Sequence, residues 1–252
     1  MTITPVNPTK ISPEENQWEL MPEPDISDII IEDEQPVDNL ISEKQQRLLV
    51  SSAYSSFQVN KPFLVTSNVG LFYGANTPPL VPDVMLSLRT KCPDDWSQKK
   101  NRSYFTWNFC KSPEIAIEIV SNKKGNELGS KLEQYLDAGV SYYVVFDPLK
   151  YLSDKILQVY KKGVTAFYPQ EDFWLEEINL GLTLWAGEFE EKYYEIWLRW
   201  CDKSGNILLT GDEKVNQEKQ RADAEKQRAD AEKQRADRLA QLLREQGIHF
   251  DE

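Results

Sequence analysis

The sequence predicts an α/β fold, a mixed sheet flanked by helices. Three observations carry that prediction. Apolar runs of strand length recur through the middle of the chain (VPDVMLSL, PEIAIEIV, SYYVVFDP). The last two are separated by an amphipathic helix signal, so strand, helix and strand with a tight connection imply parallel neighbours joined by a crossover. Further alternating runs over 155–200 read as hairpins or a meander that extends the same sheet.

The N-terminal 1–37 holds prolines at 5, 8, 13, 22, 24 and 36 and a dense acidic load, and reads as disordered, with an edge strand conceivable only at Ser27–Glu32. A folded domain is expected over 38–205, opening with a helix from Asp38 to Phe57 whose N-cap would be Asp38. Lys61–Tyr73 suggests two short strands about a turn at Ser67-Asn68. Pro78 and Pro79 then force an extended approach to Pro82.

A strand follows over VPDVMLSL. Side chains alternate between faces along a strand, so Asp83 and Met85 lie on one face and Val84, Leu86 and Leu88 on the other. The stretch RTKCPDDWSQKKNRS is a polar loop, and SYFTWNF a short strand or cover. In PEIAIEIV, Ile115, Ile117 and Ile119 share one face, whereas Glu118 sits between Ala116 and Val120 on the other. A carboxylate on such a face is costly unless a cation or hydrogen-bond donors meet it.

The next helix carries Leu128, Leu132, Tyr135 and Leu136 on one stripe, with Lys131 at its margin and Gly139 as its left-handed stop. SYYVVFDP closes the unit as a buried strand. Beyond it, Trp174, Trp185, Trp197 and Trp200 read as packing anchors. Residues 206–216 read as a linker. The seven-residue repeat EKQRADA-EKQRADA-EKQRADR, from Glu218 to Arg238, makes 217–246 a charged helix without Gly or Pro. Its seam of Ala and Glu is poor coiled-coil material, so it is read as either a projecting helix or a weak oligomerising coil, through which a homo-oligomer could form.

Charge and composition narrow the function classes. The net charge is −12, yet residues 41–150 carry 13 basic and 10 acidic side chains, the one basic part of the chain. A polyanionic partner near the acids is therefore permitted. Three scattered cysteines without CxxC spacing argue against structural zinc and fit a reducing cytoplasm. The only histidine, His249, lies near the end, which excludes a histidine-based zinc site or triad in the core. No apolar run is long enough to span a bilayer, so no membrane role is expected.

If the strands bearing Asp83 and Glu118 are neighbours, their carboxylates can converge on one divalent cation such as Mg²⁺, a hard ion that prefers oxygen ligands. A nearby lysine can orient the attacking water. Lys131 can reach back toward the sheet, whereas Lys123 and Lys124 lie on an exposed-looking turn better suited to a phosphate contact.

The residues Pro82-Asp83-Val84, Glu118-Ile-Val-Ser121, Gly129-Ser-Lys131, Tyr135, Ala138-Gly139-Val140 and Tyr143-Val-Val-Phe-Asp147-Pro148 resemble those of the Uma-two family. That family is assigned to restriction endonucleases of the PD-(D/E)xK nuclease superfamily. The similarity runs from about residue 40 to 200 and is most specific over Glu118–Pro148. It implies a restriction-endonuclease-like mixed sheet and Mg²⁺-dependent (alternatively Mn²⁺-dependent) hydrolysis of double-stranded DNA. By position it makes Asp83 and Glu118 the metal ligands and Lys131 the catalytic lysine. The lysine expected two residues after Glu118 is replaced by Val120, and the family's Tyr-Glu-Leu-Ile-Asp-Gly-like opening and following histidine are absent. Glu43 is a further candidate acid, and Tyr135 and Asp147 are assigned structural roles. The rival reading is a catalytically inactive nuclease-fold module that binds or assembles through its C-terminal helix.

Overall fold

The computed structural model describes residues 39–59, 61–122 and 126–245. The acidic segment 1–37, its candidate edge strand, Asp38, Lys123, Lys124 and His249 lie outside the described residues. Along the chain run helix α1 (Leu40–Ser56), strands β1 (Phe63–Ser67), β2 (Leu71–Phe72), β3 (Val84–Leu88) and β4 (Tyr104–Phe105), and the short helix α2 (Thr106–Phe109). Strand β5 (Ile115–Ile119), helix α3 (Ser130–Asp137) and strands β6 (Tyr142–Phe146), β7 (Leu157–Lys162) and β8 (Phe167–Gln170) follow. Strands β9 (Trp174–Leu175), β10 (Leu180–Phe189) and β11 (Lys192–Cys201) lead to helix α4 (Gly211–Glu245). Among the described residues no helix is long and apolar enough to cross a membrane.

The main sheet has six strands in the order β1-β3-β5-β6-β7-β8. The β5–α3–β6 unit is parallel, and the other pairs are antiparallel, which gives the mixed sheet expected. Alternation along the strands divides the core as the pattern dictates. Val84, Leu86, Ile115, Ile117 and Ile119 pack on one face with Leu49 of α1. Met85, Ala116, Val120 and Tyr143 pack on the other with Tyr135 of α3. A parallel pair needs a covering crossover, and α3 supplies it. The helix stops at Gly139, whose φ of +80° is the left-handed geometry glycine tolerates.

Four local expectations are corrected. The N-cap of α1 is Asn39, whose Oδ1 accepts from the backbone N–H groups of Ile41 and Ser42; an Asx side chain one residue later fills the role assigned to Asp38. Leu128 is not on the α3 stripe. Asn126 adopts a positive φ of 54° and its carbonyl accepts from Gly129 N–H, so a tight turn precedes the helix and leaves Leu128 exposed.

Of the strands over 155–200, β7 and β8 extend the main sheet, whereas β9, β10 and β11 form a separate three-stranded sheet. The long β10–β11 hairpin buries Trp197 and Trp200 and packs against α1, where the Trp200 indole donates to the Leu49 carbonyl. Trp174 and Trp185 are only half-buried. Finally, α4 begins at Gly211, inside the stretch expected as a linker. Thr210 Oγ1 accepts from Glu213 N–H while the Glu213 carboxylate accepts from Thr210 N–H, a reciprocal cap that starts the helix early.

Candidate active site

Strands β3 and β5 are antiparallel neighbours with Val84 opposite Ile117. Carrying that register one residue further sets Asp83 opposite Glu118, on the face of the sheet that α3 covers. Asp83 is 6% and Glu118 4% exposed. Each is held by side chains or backbone from a different element. Asp83 Oδ2 accepts from the backbone N–H of Ile119 at 2.6 Å, and its Oδ1 accepts from the Gln46 amide of α1 at 2.9 Å. One residue beyond Glu118, β5 therefore fixes its neighbour's carboxylate through its own main chain.

Glu118 is met from α3. Lys131 Nζ donates to Glu118 Oε2 at 2.8 Å, and the Tyr135 hydroxyl donates to Oε1 at 2.5 Å. The i,i+4 spacing places Lys131 and Tyr135 on one helical face, which in α3 is turned to the sheet. Glu127, in the turn before α3, lies 3.6 Å from Lys131 Nζ through Oε1. Its other oxygen is buried with no hydrogen-bond partner among the described residues. Tyr143 of β6 stacks on Tyr135 with ring centroids 4.8 Å apart and donates to the Glu127 carbonyl at 3.0 Å. The ring Glu118–Tyr135–Tyr143–Glu127–Lys131 is thus closed by direct contacts.

The electrostatics follow from this enclosure. Burial pushes the Glu118 carboxyl above the usual carboxylate range, only partly offset by the Lys131 charge and the bonds from Lys131 and Tyr135. For Lys131 burial acts downward, but Glu118 and Glu127 outweigh it, so the ammonium is held above its ordinary value. Tyr135 and Tyr143 are raised by burial and then by Glu118, which keeps both phenols protonated as donors.

The three predicted residues, Asp83, Glu118 and Lys131, are thus brought to one place. Glu43 is not among them; its carboxylate turns to Arg47 on the next turn of α1, at 2.8 Å. Asp147 is structural as expected, capping a turn by accepting from Tyr151 and Leu152 N–H. Gln46 and Glu127 were not singled out from the sequence. The signal for Glu127 was its spacing of four before Lys131. For Gln46 it was a glutamine pair interrupting an apolar helix face.

The donor set suits a hard divalent ion. Asp83 and Glu118 supply two carboxylates. Among the described residues no three His, Cys, Asp or Glu side chains gather to hold one ion, so an ion held by this pair would take its remaining ligands from backbone oxygen or water. That is the arrangement Mg²⁺ favours, since it keeps several waters and is bound by one or two carboxylates.

A model of the family described as "Uma2: Putative restriction endonuclease" matches residues 14–186. No curated protein matches the chain. Among solved structures, a crystal structure of a putative nuclease belonging to DUF820 from Anabaena variabilis ATCC 29413 is similar. It is 16% identical, covers 56% of this chain and 74% of that chain, and has a TM-score of 0.39.

Proposed function

The chain belongs to the Uma2 family of putative restriction endonucleases, and from that premise we propose that it hydrolyses DNA phosphodiester bonds at the Asp83–Glu118–Lys131 cluster. One observation carries the reading. A buried carboxylate, Glu118, faces Asp83 across two strands and meets a lysine whose environment keeps it cationic.

Asp83 and Glu118 would hold the divalent ion, Mg²⁺ or Mn²⁺, which when bound polarises a phosphoryl oxygen and lowers the pKa of a water. The chain's own groups do the rest. Gln46 and the Ile119 N–H fix Asp83, and Tyr135 fixes Glu118, so both carboxylates are oriented before substrate arrives. The raised pKa of Lys131 makes it a poor base and a durable positive charge. Its role is to orient water by donating to it and to offset the negative charge that develops on the phosphorane-like oxygens.

Purified protein incubated with supercoiled plasmid and Mg²⁺ should nick or linearise it, and chelation should stop the reaction. Asp83→Ala and Glu118→Ala should abolish cutting, and Lys131→Ala should slow it on the order of a hundredfold or more, the loss typical of removing one charge-stabilising donor. Intact plasmid with the wild-type protein, or undiminished cutting by Asp83→Ala, would reject the reading.

A further inference from the structure

A cavity of about 410 Å³ opens on the same face of the sheet as the acid pair. That size falls among sites for small ligands, which span roughly 300–1,000 Å³. Met85 contributes to its wall and lies two residues along the strand from Asp83, ~7 Å of extended chain. The cavity thus begins about one residue-pair away from the candidate metal ligands.

Its character is flat and aromatic. Tyr104 and Phe109, both in the wall, stack with centroids 4.4 Å apart and planes within 17°. Trp96, also in the wall, is 65% exposed, whereas an indole is highly buried on average. The loop holding it is ordered around Asp95. That carboxylate accepts from the Ser97 N–H and hydroxyl and from the Gln98 amide, and Asn101 donates to the Asp95 carbonyl.

Its surroundings are basic. In a chain of net charge −12, residues 89–102 carry Arg89, Lys91, Lys99, Lys100 and Arg102 against Asp94 and Asp95. Arg102 lines the cavity itself. Thr66, on the same wall, buries an Oγ1 with no hydrogen-bond partner among the described residues. An apolar slot with an exposed indole and a cationic margin fits a planar heterocycle carried on an anionic backbone.

We propose that this cavity receives one unstacked nucleobase of the nucleic-acid strand being cut, with Trp96 stacking on the base and the basic 89–102 loop attracting the flanking phosphates. The proposal rests on the nuclease reading for the identity of the strand. The stacking itself requires no cutting. Base–aromatic stacking is tolerant of sequence, since every base has a π-face, so the cavity selects an accessible base rather than a particular one. Such a base comes either from a single strand or from a duplex position where pairing has failed.

The test is fluorescence anisotropy in Mg²⁺ with full-length protein carrying Asp83→Asn, which keeps the probes intact. Three labelled oligonucleotides are compared: a single strand, a fully paired duplex, and the same duplex with one unpaired base. Adding Trp96→Ala should weaken binding of the single strand, the unpaired-base duplex or both by about tenfold, and of the paired duplex by less than about twofold. Trp96→Phe should restore most of the loss. Which of the two probes responds identifies the source of the base. Equal weakening of all three probes, or of none, overturns the proposal, as does failure of phenylalanine to rescue. Thermal unfolding of each variant checks that the fold is retained. The plasmid assay with the wild-type protein separates the two readings. Uncut plasmid rejects the nuclease, whereas the anisotropy pattern alone decides the cavity.

Discussion

Glu118 concentrates the conflict between stability and function in one side chain. Its carboxyl is raised by burial more than Lys131 and Tyr135 lower it. The folded protein therefore holds a proton there at pH values where the unfolded chain has released it. Stability from this group is greatest below the ordinary carboxylate pKa and declines as pH rises through the elevated one. Glu118→Gln, assayed in chelator, should accordingly melt higher than the wild type near pH 8, and the gap should narrow as pH falls toward 4. A gap that widens on acidification would contradict the burial argument. Tyr135→Phe removes a hydroxyl bonded to a carboxylate oxygen, a contact of about 1.5–3 kcal/mol. It should cut plasmid roughly tenfold or more slowly while the protein stays folded. At this scale the sequence was legible where chemistry and pattern conflicted, as with Glu118 on an apolar face. Gln46 and the Ile119 N–H were not legible, because a neutral amide and a main-chain group break no pattern. Glu127 was hidden for another reason: the turn that carries it, and so its direction, depends on the positive φ of Asn126.

Among the elements, α1 does more than cover the sheet. The Gln45 side chain is fully buried and acts as an added strand residue, donating to the Leu198 carbonyl at 2.8 Å and accepting from Leu198 N–H at 2.9 Å. The next residue, Gln46, holds Asp83. Gln45→Ala leaves two buried backbone groups unpaired and should cost about 2–5 kcal/mol, read by denaturant unfolding. One residue further along β11, Arg199 is fully buried, lies over the Trp185 ring and pairs with Glu213 through its two terminal guanidinium nitrogens. Glu213→Ala strands that charge and removes half of the reciprocal cap, so a loss of about 3–5 kcal/mol is expected. The β5–α3–β6 unit was readable because period and spacing together define a crossover. The separate sheet of β9, β10 and β11 was not. Alternation says that a strand is half-buried, but not which sheet receives it.

At the scale of the whole molecule, the folded body and the C-terminal rod meet at a joint formed by the Arg199–Glu213 pair, the Thr210 cap and the bond that Lys214 donates to the Ser55 carbonyl of α1. Beyond it the side chains described on α4 are almost all exposed, alanines and leucines included. A chain ending at Asn216 keeps the joint and should retain both its melting temperature and its plasmid cutting. One ending at Asn206 loses the joint and should melt lower. If the 216-residue form instead lost all activity together with an assembly, the rival reading, a module working through its tail, would gain the stronger claim. Three copies of a seven-residue repeat foretold the rod; its early start at Gly211 depended on a cap between Thr210 and Glu213 that the seven-residue pattern does not contain. The rod also has a hydrodynamic consequence. Thirty-five helical residues extend ~52 Å, which raises friction far more than mass. A single 29.2 kDa chain should leave a sizing column early, mimicking a dimer, so only light scattering or sedimentation equilibrium can count the copies.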